Sequence, residues 1–377
     1  FGIMVYQEDV IKVAHYYAGL SLAEADVLRR GMSGKYRSRD EFKQVEDNYF
    51  ANCAQKGHDA AEALEIWNQI KSFAGYAFAK GHSASYAVES YQSLYLKCYF
   101  PLEYMTATLN NGGGFYSPEM YVHEARMCGA TIEAPCVNNS EFLNTIKGTT
   151  IYLALGYLKE LEKRTIQRII ESRNFHGAFT SLEDFIDRVP ISIEQLSILI
   201  RINAFRFTDT DRYVLLWEAH FKLDKTKKQL QEKLFKPAHR TVALPQLHTT
   251  AQELAFEQIE LLGFPLCSPF DLLETPLTHF TGKREMEQSI GKQVTVYGYL
   301  VNVKTTHTAA ARKIMQFATF LDVRGEFVDV VLFPQVAARV SFRGSGIYKI
   351  TGKVTTEFDF TSIEVGSLVR ENNIVDP

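Results

Sequence analysis

Two adjacent arginines, Arg29 and Arg30, stand just before a glycine, and between residues 29 and 43 six basic residues face only Asp40 and Glu41. Guanidinium forks match phosphate oxygens in bidentate fashion, and a glycine lets a backbone come close. The same stretch also reads as a solvated basic helix end. A second cluster, residues 74–86, gathers Gly75, Lys80, Gly81, His82 and Ser83 just ahead of a helical pattern. The N-terminus of that helix would turn N–H groups and a positive dipole end toward an anion. Lys80 and His82 would add charge or hydrogen bonds there. The ligand common to both clusters is a polyphosphate. No catalytic or metal-ligating residue is expected: Asp9, Asp26, Asp40 and Asp47 are scattered, form no Asp-x-Asp, and read as helix-surface or capping residues.

Two further constellations lie downstream. In Gln231-Glu232-Lys233-Leu234-Phe235, two adjacent apolar side chains could fill a groove while Gln231 sets the register, the pattern of sliding-clamp-binding peptides. It sits in a basic stretch, residues 222–240, with seven basic and two acidic residues. Leu223, Leu230 and Leu234 at helical spacing also allow plain helix packing. Near the end of the chain, Tyr297, Tyr299 and Phe317 fall on strand patterns, with Lys304, Arg312 and Lys313 on the first loop. Aromatic rings and cations so interleaved suit base stacking with phosphate attraction. The local balance beyond residue 280 is only twelve basic against ten acidic residues, so a barrel that contacts protein remains an alternative.

The elements that must position these residues follow from periodicity. Val10, Val13, Ala14, Tyr17 and Ala18 recur at helical spacing, as do residues 61–73 and 83–99. Pro101 interrupts the last run, the glycines 112–114 mark a loop, and a short helix follows Pro118. Residues 149–152 are β-branched and aromatic, hence extended. Residues 161–170, 181–188 and 193–202 read as short helices, with Ser181 opening the second. From Val294 the period becomes two. Strands are expected from there and over 315–323, 328–333, 347–354 and 361–365, with a short helix after Pro334. Five strands with a helix after the third fit a small Greek-key barrel of the OB type. The fold class is therefore α+β and multidomain: helical residues 1–130, a helical region 131–217, a basic connector 218–280, and a barrel 281–377.

At 377 residues the chain has room for two or three domains. An apolar fraction of 46% with 23% charged residues excludes disorder and collagen. No run of 18 apolar residues exists, so no spanning helix and no membrane partner are expected. A net charge of −3 leaves any nucleic-acid role to local charge. The five cysteines form no Cys-x-x-Cys pair, which fits a reducing, cytoplasmic setting. A start on Phe1 reads as a piece of something longer.

Val5-Tyr6-Gln7-Glu8, the arginine pair after Ala25-Asp26, and Lys80-x-His82-Ser83 before a helix carrying Tyr86 resemble the fingers region of bacterial DNA polymerase III α subunits. The resemblance runs on through residues 135–140, Glu260-Leu261-Leu262-Gly263 and the barrel, in order and over essentially the whole chain. Residues 114–118 are similar to the error-prone, translesion branch. The resemblance implies a nucleotidyltransferase role in replication or translesion synthesis. Arg29, Arg30, Lys80 and His82 would line the triphosphate of a deoxynucleoside triphosphate, and the hairpin region and barrel would contact primer–template DNA. A sliding clamp would take residues 231–235, and other replisome subunits could join. It places the Mg2+-binding aspartates in a palm domain before Phe1, so this stretch alone should not polymerise. Departures from the family also show: Ala79 stands before Lys80, Cys136 replaces an Asp, Glu160 and Glu162 occupy glycine positions of the first hairpin, and Asn203 occupies one in the second. The hairpin scaffold should survive while its phosphate contact weakens. The alternative is a non-catalytic single-stranded-DNA-binding or clamp-adaptor protein.

Overall fold

Helical periodicity at the start of the chain becomes five α-helices: α1 (Gln7–Lys12), α2 (Leu22–Met32), α3 (Arg39–Gln55), α4 (Ala60–Ser72) and α5 (Lys80–Tyr99). The computed structural model describes residues 3–32, 39–72, 79–228, 248–308 and 312–373. Contacts divide the chain into two units, Phe1–Tyr99 and Phe100–Pro377. This division differs from the boundary read at residue 130.

In the first unit α1 begins earlier than its apolar spacing indicates, because Asp9 accepts the Val5 and Tyr6 N–H groups and caps it. Its continuation, Val13–Tyr17, widens into a π-helical turn. Val10, Ala14, Leu28, Tyr49 and Ile70 bury their side chains around Trp67. Trp67 is fully buried, and its Nε1 donates to Glu46 Oε1 at 2.6 Å. α5 differs: none of its residues is buried.

The second unit opens with α6 (Pro101–Asn110) and α7 (Pro118–Met127). Three short strands follow: β1 (Thr131–Glu133), β2 (Thr145–Lys147) and β3 (Thr150–Tyr152), with β3 central, parallel to β1 and antiparallel to β2. Helices α8 (Lys163–His176), α9 (Leu182–Arg188), α10 (Ile193–Arg201), α11 (Arg212–Lys228) and α12 (Ala251–Leu262) come next. Phe179, Phe185, Leu199, Phe205 and Leu262 share one core, so α12 packs with the hairpin helices. Of the stretch read as a connector, residues 218–228 and 251–262 are helical.

Arg173, nearly buried, ties residues 135–141 to this core. It donates to Val137 O at 3.0 Å and Ser140 O at 2.8 Å and pairs with Glu141. Asn138 exchanges two hydrogen bonds with Phe179. The segment that carried part of the resemblance is therefore a structural clasp.

The barrel is closed by β4 (Gln293–His307), β5 (Ile314–Leu321), β6 (Phe327–Leu332), β7 (Ile347–Glu357) and β8 (Phe360–Arg370), in the order β4-β5-β6-β8-β7. Helix α13 (Lys283–Glu287) precedes it and α14 (Pro334–Ala337) follows the third barrel strand. This is the expected OB-type topology. Val328, Val330 and Leu332 point inward while Phe327, Asp329 and Val331 alternate outward. A Cβ at Gly298 would stand 2.6 Å from Phe320 Cβ, so glycine is what lets β4 lie against that ring.

Candidate phosphate and DNA interface

On α2, Asp26 stands one turn before both arginines. Its Oδ1 accepts Arg29 Nε at 2.7 Å, and its Oδ2 lies 3.1 Å from Arg30 Nε. One carboxylate thus aligns two guanidinium groups at a helix C-terminus, where the helix dipole also favours cations. Arg30 Nε is buried with no well-aligned hydrogen bond. Lys80 and His82 open α5 and are exposed. The first N–H of that helix does not await an external anion: both Glu8 carboxylate oxygens accept the Lys80 N–H, each at 2.9 Å. A protein carboxylate thus takes the first of the N–H groups read for an anion, while the Lys80 and His82 side chains stay exposed. Residues 73–78, which hold much of the second cluster, lie outside the described residues.

The first hairpin turn runs from Lys159 to Glu162. Glu160 adopts the left-handed backbone of a glycine, with φ +63°. Glu162 does not; at φ −68° it is the N-cap of α8, where an acidic residue is at home, so only one of the two replacements carries a backbone cost. Three amides of the turn are engaged within the protein, the Leu161 N–H by Leu158 O at 3.3 Å. Gln195 accepts the Glu162 N–H at 2.7 Å and donates to Glu160 O at 2.8 Å, while the Lys159 N–H reaches Leu261 O at 2.9 Å. Asn203 in the second hairpin has φ +63°, a conformation asparagine tolerates.

On the barrel, Lys304 and Phe317 are cross-strand neighbours of β4 and β5, and both are exposed. Arg312 and Lys313 are exposed beside them, where β5 begins. Tyr297 lies on another outward row, opposite Lys349, whose Nζ is 5.9 Å from the ring centre. Tyr299 faces α7: its hydroxyl donates to Glu119 Oε2 at 3.1 Å. Alternation had identified its outward direction but not the helix that covers it. His123 of the same helix holds Gly325 O at 2.9 Å, so α7 docks against the barrel at two points. Gln231, Leu234 and Phe235 lie outside the described residues.

Burial under the barrel pushes the Glu119 carboxyl above the usual Glu value of 4.5, outweighing the Tyr299 hydroxyl and the Arg126 charge. A carboxyl raised on folding adds stability that is fully present below its unfolded value and is lost as pH rises through the folded one. Glu119→Gln keeps an acceptor for Tyr299 without the charge, so the decline in urea midpoint above pH ~4.5 should flatten. Tyr299→Phe leaves the half-buried Glu119 carboxylate without its donor and should cost about 1 kcal/mol at neutral pH. Equal pH profiles for wild type and Glu119→Gln would contradict this account of the dock.

Residues 1–57 match the description of the bacterial DNA polymerase III alpha subunit finger domain, and residues 129–215 match a helix-hairpin-helix motif. DNA polymerase III subunit alpha of Borreliella burgdorferi is 30% identical over 395 residues, covering 98% of this chain and 34% of that protein. In sequence the chain is similar to bacterial DNA polymerase III α subunits over nearly its whole length. An error-prone DNA polymerase of Vibrio campbellii is 28% identical over 98% of this chain and 36% of its own length. Both branches of the family are therefore matched. The Thermus aquaticus α subunit is 35% identical over 208 residues, 54% of this chain and 17% of that protein. The chain spans about a third of the length of the first two of these relatives.

The finger-domain match includes Arg29, Arg30 and their aligning Asp26 but stops before Lys80 and His82. The hairpin match spans Glu160, Gln195 and Asn203. Glu8, Gln195 and Glu119 were not singled out as functional in the sequence, because each acts on a partner far along the chain. Among the described residues no three His, Cys, Asp or Glu side chains come together as a metal site. No helix among them is long and apolar enough to cross a membrane.

Proposed function

We propose that the chain is the nucleotide- and DNA-holding portion of a DNA polymerase III α-type enzyme. The reading rests above all on the Asp26-aligned arginine pair inside the segment that matches the finger domain. Arg29 and Arg30, joined by Lys80 and His82, hold the triphosphate of an incoming deoxynucleotide. Fixed cations there stabilise charge that builds on the phosphorus centre. Residues 1–130 act as fingers and 131–217 as a hairpin domain. Residues 218–280 carry the clamp peptide Gln231, Leu234 and Phe235, and 281–377 form a DNA-binding barrel through Lys304, Arg312, Lys313 and Phe317. Mg2+ and its carboxylates belong to residues outside this stretch, and the chain by itself is inactive.

The hairpin offers a test by gain of function. Glu160→Gly removes an anion facing the DNA backbone and relieves a left-handed glutamate, so stability should rise by about 1 kcal/mol. Affinity for primer–template DNA should rise a few-fold at ~0.1 M salt, an effect that fades as salt screens the removed charge. Anisotropy of labelled DNA reads it. Unchanged affinity at every salt concentration would show that the first hairpin lies away from DNA.

A further inference from the structure

Strand β8 is paired along its whole length on one side and for only two residues on the other. β7 pairs with it from Tyr348↔Arg370 to Glu357↔Phe360, whereas β6 meets it only at Val330↔Ile363 and Val331↔Glu364. Near its end the Glu371 N–H donates to Ile347 O at 2.9 Å. In an antiparallel ladder hydrogen-bonded and non-bonded pairs alternate, so Val369 and Glu371 turn their backbone groups toward β7. Leu368 and Arg370 turn theirs the other way, and no hydrogen bond meets those groups among the described residues. They face a groove of about 860 Å³, whose far wall includes Arg339, Val340, Ser341 and Arg343 of the loop after α14. A bare strand edge beside a cleft is a template for one more strand.

The chain already uses this edge just beyond Arg370. Leu273 bridges Asn373 in antiparallel fashion, and the Glu274 N–H donates to Asn372 O at 3.2 Å. Pairing then stops, leaving Leu368 and Arg370 open. The far wall is fixed in place. The Tyr348 hydroxyl, on a buried ring, accepts the Arg343 N–H at 3.0 Å and donates to Gly344 O at 3.1 Å. Arg370 Nη2 donates to Ser345 O at 3.0 Å from the strand side. No backbone hydrogen bond joins this loop to Leu368 or Arg370, so it stands off from the edge.

Charge and hydrogen bonding together select the occupant. Arg339 and Arg343 are exposed and pair with no carboxylate among the described residues. Arg370 adds a third cation, while the two acids of the groove, Glu274 and Glu371, stand at the end that the chain itself caps. A nucleic-acid backbone would offer phosphates to the arginines but no N–H to the Leu368 and Arg370 carbonyls. An extended peptide with acidic side chains offers both. We propose that the open edge of β8 takes an extended acidic segment of a partner protein as an added strand. Its backbone pairs with Leu368 and Arg370, and its carboxylates meet Arg339 and Arg343.

The test is anisotropy of a fluorescein-labelled octapeptide of alternating valine and glutamate, titrated with the full chain. R339A/R343A should bind it about fivefold more weakly, the effect of two exposed ion pairs, and R339K/R343K should retain most of the affinity. Two N-methylated peptides decide the mode of binding, because alternate residues of a strand turn their amides to the same side. Methylating the valine amides in one and the glutamate amides in the other should cost about tenfold or more in one peptide and little in the other. Equal losses in the two would overturn strand addition. A chain that does not bind the parent peptide, or R339A/R343A binding it as wild type does, would overturn the proposal. If R339A/R343A loses affinity for oligo-dT but not for the peptide, the proposal also falls and a nucleic acid is the occupant.

Discussion

Alanine in place of Trp67 should strongly destabilise the first unit. The indole is fully buried and packs against Tyr49 at a 4.8 Å ring separation and Phe50 at 5.8 Å. Truncating a buried tryptophan costs about 3–5 kcal/mol. The lost Nε1 bond to Glu46 adds a stranded carboxylate to that cost. A unit of this size has roughly 5–15 kcal/mol in total. The midpoint of its thermal transition should therefore fall by roughly 15–30 °C. The second unit has its own cores and should keep its transition. Trp67→Phe, which retains most of the ring packing, should lose much less. A Trp67→Ala melting curve within a few degrees of wild type would show that this core does not hold the unit together.

The second large effect concerns the arginine pair. Replacing both Arg29 and Arg30 with alanine should weaken binding of a fluorescent deoxynucleoside triphosphate, with primer–template present, by about a hundredfold. Each charge-assisted hydrogen bond contributes about 1.5 kcal/mol, and roughly 3 kcal/mol corresponds to that factor. Asp26→Asn keeps the side-chain shape but relaxes the alignment of both guanidiniums, so its effect should be smaller and should appear mainly as lost discrimination between triphosphate and diphosphate. Affinity within twofold of wild type in the double alanine variant would remove the pair from the nucleotide site.

The barrel was legible because burial on one face imposes a period of two, and the strands from Val294 onward carry it except at the register shifts between Leu300 and Asn302 and between Thr351 and Gly352. The helices were legible for the matching reason at period 3.6, though not their exact ends: α1 starts at Gln7 because Asp9 caps it, which apolar spacing does not register. Long-range partners left no local trace. Gln195 closes the first hairpin across 33 and 35 residues of sequence, and nothing near it in the chain marks that task. Tyr299 shows the same limit, since alternation tells which face a ring is on and not that Glu119 will meet it there. Glu160 was read as a glycine replacement and does hold a glycine's backbone; Glu162 was read likewise and holds a cap's. Position in a motif identifies the site, and backbone geometry separates the two roles.

On the proposed function the chain grips triphosphate and DNA while the bond-making acids stand elsewhere. Primer extension by the purified chain, with Mg2+, a labelled primer–template and all four deoxynucleoside triphosphates, tests it most directly. The expected result is a shifted, protein-bound primer that is never lengthened. A primer extended by even one templated nucleotide would contradict the claim.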